Sequence, residues 1–285
     1  MATVDTDAHI HIPLSTAEHV AEQVALDRLA RDVKATAALL TAEEARGLVK
    51  LYYEMQEHRM ATGSQVRMLE KAGRSAHIHQ HFTVQLTTLE RQMQACLDAY
   101  STSTEIGRWS RSIHGIGPVL AAGLQAHIDI RKAPTVGHIW RYAGLDPTVK
   151  WGKGERRPWN ADLKVLCWKI ADSFVKTGGS DKSFYGKIYR DRKEFEVARD
   201  ERGENAAAAA KSLEERRITD AGLRATYESG HLPPGRLDLR ARRYAVKLFL
   251  AHWHEVAYIA EFGKEPPLPY PIAHLGHAHK IDPPR

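Results

Sequence analysis

The segment from Ser112 to Pro147, SIHGIGPVLAAGLQAHIDIRKAPTVGHIWRYAGLDP, constrains this chain more than any other. Apolar residues at helical spacing flank His114-Gly115-Ile116-Gly117-Pro118, and this pattern predicts two short helices joined by a glycine hairpin, followed by a second glycine turn. Glycine reaches backbone angles closed to other residues, and proline presets φ for the first turn of the following helix. Such a hairpin presents backbone N–H groups as an anion site, which is how a protein grips a phosphate backbone. Gly115, Ile116 and Gly117 are therefore candidate nucleic-acid contacts.

Charge is distributed in a way that favours this reading. The chain has 285 residues and a net charge of +6. Residues 1–110 hold 11 Lys/Arg against 14 Asp/Glu, residues 111–200 hold 17 against 10, and residues 201–285 hold 13 against 11. The local excess is thus −3, +7 and +2, with the hairpin in the basic third. No run approaches the roughly 20 apolar residues of a membrane span, and the N-terminus lacks a basic segment leading into an apolar one. A cytoplasmic protein without membrane contact is expected. Cys96 and Cys167 sit far apart in helical apolar patterns and read as buried free thiols of a reducing compartment.

The rest of the chain reads as helix. Residues 16–60 carry apolar residues at helical spacing with a restart at Thr41-Ala-Glu-Glu, a capping box, and residues 82–100 place Leu86, Leu89, Met93, Cys96 and Leu97 on one face. Together they suggest a long antiparallel arm, suited either to a plain bundle or to pairing with a second copy of the chain. In the region 178–212, Gly178-Gly179-Ser180 closes a helix and the chain from Lys182 onward reads as one charged helix running through Ala206–Ala210. The expected fold is all-α: a long helical N-terminal arm, a central helix-hairpin-helix domain and a basic helical C-terminal extension. The expected divisions are 1–84, 85–177, 178–262 and a Pro/His-rich tail, 263–285, extended over the surface.

Two further groups of cations stand out. Arg236, Arg240, Arg243 and Lys247 recur at steps of four, three and four, within about 60° of one line on a helix. Leu237, Ala241, Tyr244, Leu248 and Ala251 form the adjoining apolar stripe. Lys150, Lys153, Arg156 and Arg157 lie around Trp151 and Trp159, whose rings suit either anchoring in a core or stacking on an unpaired base. Lys150, Trp151, Lys153, Arg156, Arg157, Arg240, Arg243 and Lys247 thus complete the candidate nucleic-acid contacts.

Histidines invite a metal reading at His9-x-His11, at His77-x-His79-x-His81 along an extended edge, at His252 and His254, and at His274, His277 and His279. None repeats a known ligand spacing beside a carboxylate base, so neither a metal nor another cofactor is expected. The chain has no G-x-S-x-G and no phosphate-loop motif.

The order of helical arm, SIHGIGPVLAAGL, RYAGLDP, a basic glycine-containing loop and WNADLKVLCWKIADSFVK resembles the C-terminal domain of the bridge-RNA-guided DEDD insertion-sequence transposases over about residues 85–177. The resemblance rests on Gly115-Ile116-Gly117 combined with Ala143-Gly144-Leu145-x-Pro147. It implies a recombination or mobile-element setting and DNA or structured RNA as partner. It also implies an attacking serine a few residues beyond the AGL-x-P turn, where this chain has Lys150-Trp151-Gly152-Lys153. Indole cannot attack phosphorus, so no catalytic residue is assigned. The family's RuvC-like nuclease fold has no counterpart in residues 1–84, which are acidic without alternating strand runs. The expectation is a nucleic-acid-binding, transposase-like protein that does not cut. The alternatives are an active divergent transposase or metal-dependent nuclease, and a helical scaffold for an acidic protein.

Overall fold

A computed structural model describes residues 29–269 and 280–284, and all regular structure in them is helical. Among the described residues no helix is long and apolar enough to cross a membrane. The chain opens with α1 (Arg31–Ala37), α2 (Ala42–Lys71) and α3 (His77–Thr102). Thr41 starts α2 as expected: its hydroxyl accepts from the Glu44 amide at 3.3 Å and the Glu44 carboxylate accepts from the Thr41 amide at 2.8 Å. α2 and α3 form an antiparallel arm. Arg59, Gln56 and Tyr52 of α2 all reach Glu90 of α3, and Gln80 donates to Glu70 at 2.8 Å. The division expected at 84/85 therefore falls inside one helix of a hairpin. His77, His79 and His81 lie on the first turns of α3 rather than on an extended edge, which leaves His77 and His81 on one face and puts His79 on the opposite one.

Next come α4 (Glu105–Ser112), α5 (Pro118–His127), a single 3-10 turn (Ile130–Lys132), α6 (Val136–Tyr142) and α7 (Ala161–Thr177). The chain continues through α8 (Phe184–Glu201), α9 (Ala206–Glu215), α10 (Ala221–Glu228) and α11 (Pro234–Phe262). The single charged helix expected from Lys182 onward is broken. Residues 202–205 turn at Gly203, whose φ of +74° no helix accepts, and Asp200 takes the Asn205 side chain at 2.8 Å. Pro234 occupies the first turn of α11 and Gly263, at φ +65°, ends it.

α5 is the hinge of the packing because its sequence, PVLAAGLQAH, is small on both sides. One face, with Val119, Ala122 and Ala126, meets Ala45, Val49 and Tyr52 of α2 and Leu97 and Tyr100 of α3. The other joins the main core, where Ala121 and Leu124 pack with Leu163, Leu166 and Ile170 of α7 and with Phe249, Leu250 and Trp253 of α11. Gly123 allows this approach, since a Cβ there would lie 2.8 Å from Leu166 Cδ2. Gly107 is tighter still: a Cβ on it would fall 1.6 Å from the Ser101 carbonyl oxygen at the corner between α3 and α4.

Both cysteines are buried free thiols, and burial pushes Cys167 up to about 12. His252 and His254 are core residues. His252 donates from Nε2 to the Ile281 carbonyl at 2.7 Å, so its Nδ1 accepts from the Tyr185 hydroxyl at 2.7 Å. His254 donates from Nε2 to the Ala133 carbonyl at 2.8 Å. No group of His, Cys, Asp and Glu among the described residues is arranged to hold a metal ion, and His9, His11, His274, His277 and His279 lie outside them. Of the tail, Ile281 is held by His252, Lys280 pairs with Glu255 at 2.8 Å, and the Pro284 carbonyl accepts from Trp109 Nε1 at 3.1 Å.

Two consequences can be measured. Gly107→Ala must displace backbone, and should destabilise the fold by about 3 kcal/mol. Gly63→Ala, in the exposed middle of α2 with only the Arg67 side chain at 3.8 Å, should instead stabilise it by roughly 0.5–1 kcal/mol; equal thermal midpoints for the two variants would contradict this packing. The second consequence is pH dependence. Burial holds His127, His252 and His254 below their ordinary value of 6.5. The unfolded chain takes up protons on them as the pH falls through that value while the folded chain does not, so stability should be full above about pH 7 and decline as the pH falls below about 6.5. Thermal unfolding followed by circular dichroism across this window should show a falling midpoint, and a flat one would be inconsistent with neutral buried histidines.

Candidate nucleic-acid interface

The glycine hairpin forms where the sequence predicts it, but only one of its glycines is conformationally required. Gly115 has φ +97°, and a Cβ there would lie 3.1 Å from Thr177 Oγ1 and 3.2 Å from Ser173 Oγ. Gly117 has φ −81° and open space where its Cβ would be, so its backbone is one that other residues adopt. The hairpin is docked through its carbonyls. Ser173 of α7 donates to the Gly115 oxygen, and Arg111, itself paired with Asp98 at 2.7 Å, donates to the Ile116 oxygen at 2.9 Å. Ile116 is 2% exposed and belongs to the core, and its amide donates to the Ile113 carbonyl at 2.9 Å, so neither its side chain nor its backbone is open to a ligand.

The second glycine turn caps α6 with two bonds: the Gly144 amide donates to the Arg141 carbonyl at 3.0 Å and the Leu145 amide to the Trp140 carbonyl at 2.8 Å. This is the Schellman arrangement, and Gly144 takes the left-handed φ of +64° that it needs. Glycine is doubly required here because a Cβ would meet Trp159 Cγ at 2.8 Å. Asp146 then accepts from the Thr148 amide at 2.9 Å and from its hydroxyl at 2.7 Å, bonds that hold its carboxyl below the usual carboxylate range.

Between this turn and α7 the chain makes an exposed loop, closed at its base and braced inside. Asn160 caps α7 by accepting from Leu163 N at 2.8 Å, while its own amide donates to the Tyr142 carbonyl at 2.9 Å and its side chain to the Tyr142 hydroxyl at 3.1 Å. Within the loop Trp151 Nε1 donates to the Glu155 carbonyl at 2.8 Å, and the Gly152 amide to the Glu155 carboxylate at 2.9 Å. Lys150, Lys153, Arg156 and Arg157 are all exposed on it. Trp151 is 44% exposed and edge-on to Trp159, with ring centroids 5.9 Å apart, and Arg157 lies 5.4 Å from its centroid. It is a surface residue of the basic loop, not a core anchor. Trp159 is half-buried against Gly144, with Lys164 Nζ 4.1 Å from its ring centroid.

The basic loop and α11 meet at Lys164. Burial draws Lys164 below its ordinary range, and the charges of Arg243 and Arg157 push it the same way. Lys247 is drawn down by burial and by Arg243, against the opposing pull of Asp146. Its ammonium sits 4.0 Å from the centroid of Trp140, whose Nε1 donates to the Lys247 carbonyl at 3.1 Å. Arg157, Lys164, Arg243 and Lys247 therefore share one electrostatic neighbourhood, assembled from the loop, α7 and α11. Arg243 is exposed and makes no ion pair among the described residues.

The expected ridge on α11 is less uniform than its spacing implies. Arg236 donates to Ser212 and Tyr227, and Arg240 donates to Asn205 at 2.7 Å and to the buried Glu196 at 3.3 Å. Both are partly buried and engaged by these partners, which leaves Arg243 as the exposed cation of the row, with the partly buried Lys247 beyond it. The hairpin is also set apart from this patch. Gly115 contacts the C-terminal end of α7 at Ser173 and Thr177, whereas Lys164 lies in the first turn, roughly 15 Å away along the axis. Lys164 is absent from the candidates read from the sequence, and Tyr244 is there only as part of an apolar stripe. The Asn160 cap is the signal that fixes Lys164 beside the loop. Nothing local marks Trp140 or Arg192, because their importance comes from α11 crossing them.

Neither the curated proteins nor the solved structures gave a match to this chain. A family model did, over the stretch that holds the hairpin, the Schellman turn, the tryptophan loop and most of α7. Residues 110–175 are similar to the transposase IS116/IS110/IS902 family.

Proposed function

We propose that this chain is a DNA-binding protein of the recombination or mobile-element type that holds the nucleic-acid backbone without performing serine-dependent strand exchange. The observation that carries the proposal is the convergence of Arg157, Lys164, Arg243 and Lys247 beside Trp151, Trp159 and Trp140. Burial and the charge of Arg243 draw Lys164 and Lys247 down, and a row of phosphates relieves the repulsion. Lys150, Lys153 and Arg156 extend the patch along the loop, Arg240 extends it along α11, and the backbone of Gly115 and Gly117 forms a second contact at the far end of α7. The exposed indole of Trp151 stacks on an unpaired base as readily as it fills the place of a serine nucleophile. Pairing of two copies through the α2–α3 arm belongs to the same reading, since the arm exposes Met60, Met68, Ile78 and Phe82.

Fluorescence anisotropy with duplex, single-stranded and four-way-junction DNA over a salt series tests the binding. Log affinity should fall steeply and linearly with log salt, and replacing Lys153, Arg156 and Arg157 together by alanine should reduce that slope by about 2–3. No binding to any of the three DNAs below micromolar protein would refute the proposal. A second experiment addresses chemistry: with Mg²⁺ or Mn²⁺ present, no strand cleavage and no covalent protein–DNA adduct should form. Either product would favour an active divergent transposase or nuclease.

A further inference from the structure

Two hollows lie side by side along α11 and share a wall. The first is an apolar cavity of about 270 Å³ lined by Val136, Trp140, Tyr244, Lys247, Leu248 and Ala251, with Pro266, Pro267 and Pro269 of the tail against it. This is at the lower edge of the roughly 300–1,000 Å³ of small-molecule pockets, so it admits about one flat ring system. The second is an open pocket lined by Arg192, Arg199, Arg240, Arg243 and Lys247, with Glu196 as its one acidic residue. Glu196 is 1% exposed and held between Arg192 and Arg240, so its charge is consumed in orienting their guanidinium groups. Arg199 pairs with Glu204 at 3.1 Å, and Arg243 and Lys247 are left facing one another's charge. Tyr244 and Lys247 line both hollows, and the Arg192 guanidinium lies 4.6 Å from the Tyr244 ring centroid.

An anionic group beside an apolar, aromatic-walled slot describes a nucleotide. We infer that these hollows form a subsite for one unpaired nucleotide of a nucleic-acid strand, with its phosphate among Arg192, Arg240 and Arg243 and its base against Trp140 and Tyr244. The inference rests on the nucleic-acid reading above and goes beyond it, because backbone contact alone does not distinguish a paired from an extruded base. Arginine presents a planar fork to phosphate oxygens, and Tyr244, braced by Arg192, offers a ring on which a base stacks. A base still in its duplex cannot enter, so the subsite selects bulged, junction or single-stranded sites. A strand supplies more affinity than a free nucleotide, because the loop cations at Lys150 to Arg157 hold the flanking phosphates.

The test compares a fully paired duplex with the same duplex carrying one bulged 2-aminopurine, each titrated with the full chain. The bulged duplex should bind at least ten times more tightly, and its 2-aminopurine emission should be quenched by stacking. In Ala251→Leu, which fills the slot, and in Tyr244→Ala, which removes an exposed ring, the ratio of the two affinities should fall to within two-fold of unity. Circular dichroism melts establish that each variant folds, and Tyr244→Ala carries the test alone if the packed variant does not. Equal affinity of the wild-type chain for the two duplexes, or a ten-fold preference surviving Tyr244→Ala, overturns the subsite while leaving backbone binding intact. Failure of both duplexes to bind overturns the nucleic-acid reading itself. Competition by micromolar nucleoside monophosphate, with no gain from the flanking strand, overturns the assignment to a strand.

Discussion

The stacking of Phe174, Tyr185 and Phe249 in the main core is the interaction on which the rest depends. Their ring centroids lie 5.0–5.5 Å apart, and they come from α7, α8 and α11 respectively. Aromatic groups of this size dominate core energetics, and their edge and face preferences fix how the helices cross. Once α11 is set against α7 in this way, Arg243 comes beside Lys164, and Lys247 comes over Trp140. The transposase-like stretch, residues 110–175, therefore does not contain its own complete core: Ile139, Leu163 and Ile170 are closed over by Phe249, Leu250 and Trp253 from outside it.

The polarity of the interface follows from where carboxylates are spent. Glu196 neutralises Arg192 and Arg240, Asp238 takes Arg242 and Lys193, and Asp172 takes Lys176 and Arg242. These pairs lie within or between α7, α8 and α11, where burial makes an unpartnered charge costly. Exposed cations on the loop carry no such constraint and stay open to solvent.

Much of the local structure was legible from residue order alone. The capping box at Thr41, the hairpin turn at Gly115 and the turn at Gly144 each reflect a short-range requirement, whether for a side-chain oxygen to accept an amide or for a positive φ. The charged stretch from Lys182 onward reads as one helix because alanine's preference for helix hides the stop at Gly203, where Asp200 and Asn205 close a turn. His77, His79 and His81 were misread because alternation suggests a strand, whereas the antiparallel pairing of α3 with α2 holds them in helix. Ile116 was misassigned because a hairpin residue can point either way, and only packing against α7 and α11 turns it inward.

The sequence by itself determined an all-helical chain, its basic centre and the two glycine turns, because helix periodicity, charge and left-handed backbone are properties of a residue and its near neighbours. The glycine hairpin and the tryptophan loop both belong to the transposase-like stretch, but the structure sets them at opposite ends of α7. Which cations stand open, and which are consumed by Glu196, Asp238 and Asp172, was decided only by the tertiary structure. Those partners lie up to 70 residues apart and meet through the burial of apolar faces on α7, α8 and α11, a long-range event that no local pattern encodes.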